Sequence, residues 1–291
     1  MNNYPKITIV TPNYNLGEYL EQTILSVLNQ NYPNLEYIII DGGSTDNSLE
    51  IIKKYEDKLA FWSSESDNGL YDAIQKGFDR SNGDIMCWLN SDDLLHPYSL
   101  FYIAKIFESF PEVEWVLGRP SYFDENGGLF NIDPVKQWSK YHFFTGNYQW
   151  IQQESTFWRR DLWKKVNSKL NTNLKLAGDF DLWLRFFEKS DLYATSVILG
   201  GFRHRTNQLS KIQLANYHQE VNMVLQKHLR EVSTHFKYKV IGAKVLFLMA
   251  KILSRIRFLN TSTLNNRIVP TLLGAKPIIH YDYRNSSFYM K

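Results

Sequence analysis

The sequence predicts an α/β protein, in which a mostly parallel central sheet is flanked by helices and followed by a C-terminal helical extension. Short apolar runs alternate with amphipathic helical patterns through the first third of the chain, an order typical of parallel sheets covered by helices. The extension is indicated by charge, because 15 of the 33 Lys and Arg residues but 3 of the 30 Asp and Glu residues lie beyond position 201. This asymmetry predicts two regions with different partners.

The composition is that of a soluble globular protein, with 44% hydrophobic and 22% charged residues and a net charge of +3. The single cysteine, Cys87, lies inside an apolar run and has no partner for a disulfide, which indicates a reducing compartment. The first residues lack the basic and apolar regions of a signal peptide, so we expect a cytoplasmic protein.

Four strands and three helices are expected to alternate before residue 94. Each strand is a short apolar run bounded by turn residues, and each helix carries apolar residues three or four positions apart. The strands are expected at 7–12, 35–41, 59–65 and 85–89, and the helices over 17–29, from Asp46 and from Gly69. Pro12 is expected to end the first strand, because proline has no backbone donor.

Carboxylates recur where these strands stop. Asp41, Asp67 and the pair Asp92–Asp93 follow the second, third and fourth strands, so a parallel sheet would gather them along one edge. Adjacent carboxylates such as Asp92 and Asp93 suit Mg²⁺ or Mn²⁺ bridging a diphosphate. Local structure offers alternatives, since Asp41 can close an Asx-turn, Asp67 can cap the next helix and the aspartate pair can form a solvated turn.

From Trp115 the pattern changes to short strands around a turn at 124–128, followed by an aromatic-rich stretch. The aromatic side chains are predicted either to pack in the core or to form an apolar floor for sugar rings. They are Tyr141, His142, Tyr148, Trp150 and Trp158.

A helix is expected to begin at Asp179, because Gly178 interrupts the chain and apolar residues follow at helical spacing. Asp179 and Asp181 can both cap its first turn without any chemical role. A last strand is expected over 193–204.

The basic extension is predicted to form two helices, over about 212–230 and 236–259. The second carries cations on one face of an otherwise mostly apolar surface, namely Lys237, Lys244, Lys251 and Arg255. Charges recur too often for a transmembrane span, whereas this stripe suits anionic lipid headgroups. Packing on the rest of the protein or on a partner protein would give a similar pattern. No recognised motif supports nucleic-acid binding.

Four motifs follow one another in the first third of the chain: Thr11-Pro-Asn-Tyr-Asn15, Asp41-Gly-Gly-Ser-Thr-Asp46, the stretch from Ser64 to Gly77, and Leu89-Asn-Ser-Asp-Asp93. Together they resemble the family 2 glycosyltransferases, whose nucleotide-binding half has the GT-A fold. The resemblance runs from Ile7 to about Ser210. It implies a catalytic domain over 1–210, with a nucleotide-sugar-binding half at 1–119 and an acceptor-side half at 120–210, before a basic helical extension over 211–291.

The resemblance also implies roles on the donor side. The residues expected to contact the nucleotide are Thr11, Pro12, Tyr14, Asp41 and Asp67. Asn90-Ser91-Asp92-Asp93 occupies the family's metal-binding DXD position, with Asn90 where that name has an aspartate. Asp92 and Asp93 are expected to hold the metal and the ribose, with their division left open.

On the acceptor side, Asp179 matches the catalytic base of inverting enzymes, and Asp181 is a further substrate candidate. The segment with Glu154 resembles the one beneath the donor sugar. The loop with Arg203, His204 and Arg205 resembles the one that closes over the donor diphosphate. Charge suits both arginines to phosphate, whereas His204 is a metal ligand, a phosphate donor or a structural residue.

The implied function is the inverting, metal-dependent transfer of one sugar from a nucleotide sugar, with UDP as the expected nucleotide, to a glycan or lipid-linked acceptor in cell-surface polysaccharide synthesis. Mn²⁺ or Mg²⁺ is the expected cofactor. The Gln-x-x-Arg-Trp signature of processive synthases is missing, and so are the dinucleotide fingerprint and the P-loop. The helix over 236–259 is expected to hold the protein peripherally on the inner face of the cell membrane.

Two other functions stay open. A non-catalytic sugar-binding or assembly subunit could have the same fold. A nucleotidyltransferase could have a similar sheet, but it should carry a Gly-rich first loop, which Thr11-Pro-Asn-Tyr-Asn15 is not.

Overall fold

The computed structural model describes residues 4–146, 150–206, 208, 212–253 and 268–291. The strands are β1 (Ile7–Asn13), β2 (Leu35–Asp41), β3 (Phe61–Ser64), β4 (Ile85–Trp88), β5 (Leu94–Leu95), β6 (Trp115–Leu117), β7 (Ser121–Phe123), β8 (Leu129–Ile132), β9 (Thr156–Arg159), β10 (Tyr193–Ala194), β11 (Gly200–Arg203), β12 (Ile279–Asp282) and β13 (Ser287–Met290). The helices are α1 (Gly17–Leu28), α2 (Ser48–Lys54), α3 (Leu70–Arg80), α4 (Ser99–Ser109), α5 (Lys140–Phe143), α6 (Arg160–Lys165), α7 (Gly178–Lys189), α8 (Leu214–Glu231), α9 (Thr234–Leu253) and α10 (Val269–Leu272).

The main sheet has seven strands in the order β10-β6-β9-β4-β1-β2-β3. Neighbouring strands are parallel except around β9, which runs antiparallel to both β4 and β6. The predicted mostly parallel α/β architecture is confirmed. Because β1, β2 and β3 are parallel, their carboxyl ends share one edge of the sheet, where Asp41 lies opposite both Asn13 and Ser64.

The first strand departs from the prediction at Pro12, which lies inside β1 and does not end it. β4 pairs with β1 only from Ile7 to Val10, so Pro12 lies beyond that ladder. The pairing with β2 continues through Pro12 to Asn13. A proline is tolerated here because the donor that it lacks is not needed by the shorter neighbouring strand.

The predicted single strand over 193–204 is wrong, because the chain forms two short strands in different sheets. β10 joins the main sheet beside β6, whereas β11 joins a second sheet with the order β5-β11-β7-β8. Gly200 permits the close approach at this crossing, since a Cβ atom there would lie 1.9 Å from the carbonyl oxygen of Glu154. The second sheet brings β11 next to the turn that follows β4.

Four tryptophans form the centre of the aromatic core. Trp88, Trp115, Trp158 and Trp183 are almost completely buried, and their rings pack with centroids 5.6–6.0 Å apart. They come from β4, β6, β9 and α7. The helix that begins beside Asp179 is therefore packed directly against the main sheet.

The C-terminal extension contributes to the same core. Val221, Val224 and Leu225 of α8 are buried in the hydrophobic cluster that includes α7. The extension is not entirely helical as predicted, because β12 and β13 form a hairpin whose Ile279 pairs with Thr195. The predicted boundary at Ser210, and positions 254–259 of the predicted second helix with Arg255, lie outside the described residues. Among the described helices, none is long and apolar enough to cross a membrane.

Candidate active site

Asp41 ends β2 among hydrogen-bond donors and is fully buried. Its Oδ1 accepts hydrogen bonds from Asn13 Nδ2 at 2.7 Å and Ser44 Oγ at 2.5 Å. Its Oδ2 accepts from Ser64 Oγ at 2.6 Å and from the backbone N–H groups of Gly43 and Ser44. Burial acts to raise the pKa of Asp41, but these bonds outweigh it and hold the pKa below its ordinary value. The contacts with Gly43 and Ser44 fit the Asx-turn alternative. The contacts with Asn13 and Ser64 connect the ends of β1, β2 and β3 through Asp41.

The other predicted nucleotide contacts lie around this edge. Tyr14 is 63% exposed, so its ring is accessible for stacking. Pro12 is buried inside β1, and Thr11 is buried with its Oγ1 3.1 Å from the Tyr37 hydroxyl. Of these three residues, only Tyr14 presents its side chain at the surface.

Asp67 approaches the same edge from the loop after β3 and is partly exposed. A Cβ atom on Gly42 would lie 2.8 Å from Asp67 Oδ2, so the glycine allows this approach. Asp67 Oδ1 accepts a hydrogen bond from the Gly69 backbone at 2.8 Å, as the helix-capping alternative predicts. Its Oδ2 accepts no hydrogen bond from the described residues and is available to a ligand.

The turn after β4 is anchored to α1 and to β11. Thr23 Oγ1 lies 2.9 Å from the carbonyl oxygen of Ser91 and 2.8 Å from that of Asp93. Asp93 Oδ1 accepts from the Arg203 backbone N–H at 2.9 Å, and Oδ2 accepts from Asn90 Nδ2 at 3.2 Å. Burial and the neighbouring carboxylates raise the pKa of Asp93 well above its ordinary range. The Asn90 amide thus donates a hydrogen bond to Asp93, which an ionised aspartate at position 90 could not do.

Asp92 forms an ion pair with Arg205, whose Nε lies 2.6 Å from Asp92 Oδ2. Arg203 is fully buried, and each guanidinium nitrogen donates to an oxygen of the protein. Nε donates to the Asp92 carbonyl at 2.5 Å, Nη1 to the Glu125 carbonyl at 2.9 Å, and Nη2 to Gln22 Oε1 at 2.8 Å. These contacts favour a structural role for Arg203 over the predicted phosphate contact, because this side chain fixes the turn that carries Asp92.

His204 lies among three aromatic rings. Its ring centroid is 5.5 Å from those of Tyr122 and Phe130 and 5.4 Å from that of Phe202. This surrounding favours the structural alternative, and the metal and phosphate roles of His204 stay predictions.

Glu154 is buried in a short turn before β9, and its Oε1 has no hydrogen-bond partner among the described residues. Burial and the negative charges of Asp92 and Asp179 raise its pKa to about 8. The negative charges of Asp92 and Asp179 therefore both act on the Glu154 carboxyl group. Three predicted site residues from distant segments thus interact through their charges.

Asp179 is the second residue of α7 and is partly exposed. Its Oδ1 lies 2.8 Å from the Phe180 backbone nitrogen and 3.3 Å from the Tyr71 hydroxyl, which both donate to it. Its Oδ2 accepts no hydrogen bond from the described residues. Burial raises the pKa of Asp179 to about 6. Gly178 is required beside it, since a Cβ atom there would lie 2.8 Å from the Tyr71 ring.

Asp181 is buried and points into an ionic cluster. Its Oδ2 pairs with Arg185 Nε at 2.9 Å, and its Oδ1 lies 3.4 Å from His228 Nε2. His228 Nδ1 also lies 2.9 Å from Glu188 Oε1. Both oxygens of Asp181 are engaged within the protein, which favours a structural role over the predicted substrate contact.

Sequence reasoning missed Tyr71, Glu220 and His228, which surround the start of α7. Tyr71 lies in the motif from Ser64 to Gly77, but its contact with Asp179 depends on tertiary packing. Glu220 is one of three acidic residues beyond position 201, and it binds the loop before α7. The one feature of the sequence that could have indicated a role for Glu220 is its isolated position in a basic region.

The aromatic stretch serves mainly as core. Trp158 and His142 are buried and Tyr141 is partly buried, whereas Trp150 is 52% exposed and stacks on Tyr217 at 4.7 Å. Tyr148 lies outside the described residues.

A cavity of about 310 Å³ lies beside Trp150. Its lining includes Tyr122, Asp133, Lys136, Trp138 and Gln152. Burial lowers the pKa of Lys136 to about 7. The cavity does not include Asp92 or Asp179 in its lining, so it is separate from the carboxylate group.

Asp92 lies at the predicted metal-binding position, and its Oδ1, which accepts no hydrogen bond from the described residues, can bind a divalent cation. Within the described part of the chain, no three Asp, Glu, His or Cys side chains are grouped to hold a metal by themselves. Mg²⁺ at phosphate sites commonly needs only one or two carboxylates, with phosphates and water as the other ligands. The residues present therefore fit a cation shared with a diphosphate.

Comparison with known sequences gives a consistent result. The model of the family described as "Glycosyl transferase family 2" matches residues 8–177. An uncharacterized glycosyltransferase of Rickettsia typhi is 26% identical over 201 residues, covering 67% of this chain and 63% of that protein. One of Rickettsia bellii is 25% identical over 286 residues, covering 93% and 40%. The chain thus spans from 40% to 63% of the length of these two relatives.

Solved structures of S. aureus TarS have the same fold. TarS 1–349 in complex with UDP-GlcNAc is similar with a TM-score of 0.67 at 16% identity, over 92% of this chain and 78% of that chain. Its complex with UDP gives a TM-score of 0.62 at 17% identity, over 89% and 75%. The likeness confirms the predicted GT-A architecture.

Proposed function

This chain belongs to glycosyl transferase family 2, and from that membership we propose that it is an inverting, metal-dependent glycosyltransferase. It moves one sugar from a UDP sugar to a hydroxyl group of a glycan or lipid-linked acceptor, in the synthesis of a cell-surface polysaccharide. One observation carries the proposal: Asp92 and Asp179, from distant segments, both lie near enough to the buried Glu154 for their charges to raise its pKa. Asp92 and Asp179 each keep one carboxylate oxygen free of the described hydrogen-bond donors.

Asp179 is the proposed general base. The hydrogen bonds from Tyr71 and Phe180 hold its Oδ1, which leaves Oδ2 to accept the proton of an acceptor hydroxyl. With a pKa of about 6 the carboxyl is ionised at neutral pH and still basic enough to assist proton removal. The deprotonating oxygen attacks the anomeric carbon as the nucleoside diphosphate leaves from the opposite face, so the configuration inverts.

Asp92 is the proposed ligand of Mn²⁺ or Mg²⁺, through its free Oδ1. When bound, the cation neutralises the charge that develops on the leaving diphosphate. The ion pair with Arg205 keeps a second positive charge beside the same carboxylate. Arg205 thereby lies where a diphosphate held at Asp92 would need a cationic donor.

The choice of UDP is supported by the fold, since the similar TarS chain binds UDP-GlcNAc and UDP. Tyr14 offers an exposed ring for stacking on the base, and Asp67 Oδ2 is available to accept from base or ribose groups. Asp41 supports this pocket by fixing the surrounding loops.

Release of nucleotide tests the enzyme proposal against a non-catalytic sugar-binding subunit. The protein is incubated with a panel of nucleotide sugars and Mn²⁺, with and without glycan acceptors. We expect release of the nucleoside diphosphate from one UDP sugar, stimulated by an acceptor and abolished by EDTA. Binding of UDP without turnover of any donor would favour the non-catalytic subunit.

We propose further that α9 attaches the protein to the inner face of the cell membrane. α9 exposes an apolar ridge at helical spacing, formed by Tyr238, Ile241, Val245, Leu248 and Ile252, each at least half exposed. The face that packs on the protein holds Val240, Ala243 and Ala250. The cations Lys237, Lys244 and Lys251 run along one side of the ridge.

This arrangement modifies the predicted cationic stripe. Apolar side chains form the centre of the exposed face, and the lysines lie along one side of them. This arrangement suits contact with anionic headgroups, as in helices that lie in the membrane interface. Vesicle flotation with phosphatidylcholine, alone or with phosphatidylserine, tests the proposal. The wild type should float with the anionic vesicles, and the double variant Ile241→Glu with Leu248→Glu should not.

The control is Met223→Glu on α8, which changes an exposed apolar residue outside the ridge. It should float like the wild type. Equal flotation of the ridge variant and the wild type would contradict the membrane proposal.

A further inference from the structure

One carboxylate connects α8 with the loop before α7. Glu220 accepts hydrogen bonds from three successive backbone N–H groups, those of residues 175, 176 and 177, at 2.9–3.2 Å. Successive amides that converge on one anion form a concave site of positive partial charge. α7 begins at the next residue, Gly178. Glu220 therefore holds the backbone that leads directly into Asp179.

The same loop is held from the other side by Tyr71 of α3. Its hydroxyl lies 2.9 Å from the Leu176 carbonyl oxygen and 3.3 Å from Asp179 Oδ1. The peptide groups of Leu176 are thus bound through the N–H by Glu220 and through the carbonyl by Tyr71. A displacement of Glu220 would move the tyrosine contact and the Asp179 carboxylate together.

α8 is itself fixed along α7 by a second polar contact. His228, two turns after Glu220, pairs with Asp181 and Glu188 of α7. Val221 and Val224 are buried between these two contacts. The position of Glu220 is therefore set by a packed interface and not by its own hydrogen bonds alone.

Glu220 also acts on Asp179 through its charge. Burial is the larger cause of the raised pKa of Asp179, and the negative charge of Glu220 adds to it. The ionisable groups of the surrounding elements are Tyr71 of α3, Glu154 of the turn before β9, Glu220 of α8, Lys175 of the preceding loop, and Asp181 of α7. Lys175 Nζ donates to the Asn68 carbonyl, and the charge of Asp181 is paired with that of Arg185.

We propose that Glu220 is a positioning residue for the base, so that the C-terminal extension completes the catalytic arrangement through α8. Glu220 sets the geometry of the Asp179 loop and strengthens Asp179 as a base. The inference rests on the proposed role of Asp179. It gives the extension a function in the transfer step that is independent of any membrane contact.

Glu220→Gln tests the inference because it keeps the side-chain length and one acceptor oxygen while removing the charge. We expect kcat for sugar transfer to fall about tenfold, as small misplacements of catalytic groups do. The KM for the donor and the affinity for UDP should not change. The acidic limb of the pH profile of kcat/KM should move to lower pH, because a negative charge near Asp179 is lost.

The matched control is Glu231→Gln, which removes the same charge from an exposed position on the same helix. It should leave kcat and the pH limb at wild-type values. Wild-type kcat and pH limb in Glu220→Gln would overturn the inference. The inference would also be overturned if kcat and UDP binding fell together while the acidic limb of the pH profile did not move. That pattern would indicate a general loss of structure at the site.

If Glu220→Gln does not fold, His228→Gln loosens α8 without touching Glu220. Transfer should then fall while UDP affinity is kept, and unchanged transfer would overturn the inference. Failure of the wild type to turn over any donor would overturn the proposed function and this inference together. An active wild type with an unaffected Glu220→Gln variant would overturn this inference alone.

Discussion

Carboxylates that look alike in the sequence differ in the structure by how many donors surround them. Asp41 accepts five hydrogen bonds and Asp93 has both oxygens engaged, so these two residues hold loops in place. Asp92 and Asp179 each keep one oxygen free of the described donors. The sequence could place all four at strand or helix ends, but their donors come from positions such as Ser64 and Arg203, which only the tertiary fold brings near.

Asn90→Asp is predicted to destabilise the protein, although it restores the aspartate of the DXD name. The change replaces the amide that donates to Asp93 by a second carboxylate in a largely buried turn. Losing such a bond costs about 1–3 kcal/mol of unfolding free energy. The loss should be larger at pH 8 than at pH 5, because a protonated carboxyl can donate again.

Denaturant unfolding at the two pH values measures this effect. Ser91→Ala is the control, since Ser91 Oγ has no hydrogen-bond partner among the described residues. A more stable Asn90→Asp variant, or a loss that does not depend on pH, would contradict the role assigned to Asn90.

Elements with a clear hydrophobic period were predicted closely, whereas those defined by long-range pairing were not. α1 and α7 begin at or beside their predicted first residues because their apolar spacing is a local property. The strand over 193–204 was misread because its residues divide between two sheets, which depends on partners far away in the chain. The contacts of α8 with the loop before α7 could likewise not be predicted, since no local pattern pairs Glu220 with residues 175–177.

His228→Gln is predicted to weaken the contact of α7 with α8 in a pH-dependent way. Burial acts to lower the pKa of His228, but Asp181 and Glu188 outweigh it and raise the pKa to about 9. Because the folded-state pKa lies above the unfolded value of about 6.5, the charged imidazole stabilises the fold fully below pH 6.5. That contribution is lost as the pH rises through about 9.

The variant should therefore lose about 1–3 kcal/mol of unfolding free energy at pH 6 and less at pH 10. Denaturant unfolding at both pH values gives the comparison. His235→Gln, at an exposed position of α9, should have little effect at either. An equal loss from His228→Gln at pH 6 and pH 10 would show that the imidazole is not charged in the fold.

For the whole molecule, the sequence located two regions by charge but could not show that they share one core. Charge asymmetry suggested an extension with its own partner, and α9 does expose an apolar ridge beside lysines. α8, however, buries its apolar face on α7, and β12 pairs with Thr195. Such packing depends on surfaces that exist only after folding, so the polar appearance of α8 in the sequence concealed it.

A chain ended after Thr206 is predicted not to fold cooperatively. It would lose Val221, Val224 and Leu225 from the core, and burying each such side chain contributes about 1.5–3 kcal/mol. Their sum approaches the whole net stability of a typical domain, about 5–15 kcal/mol. Thermal unfolding followed by circular dichroism tests this, and a cooperative transition near that of the full chain would contradict it.

The transfer rate of Asp179→Asn, compared with the wild type at saturating donor and acceptor, tests the central claim most directly. The substitution keeps the size of the side chain and removes the carboxylate oxygen that is proposed to accept the proton of the acceptor hydroxyl. We predict that transfer falls roughly 10²- to 10⁴-fold while UDP binding is unchanged. A variant that transfers sugar at the wild-type rate, with the same UDP affinity, would contradict the assignment of Asp179 as the base.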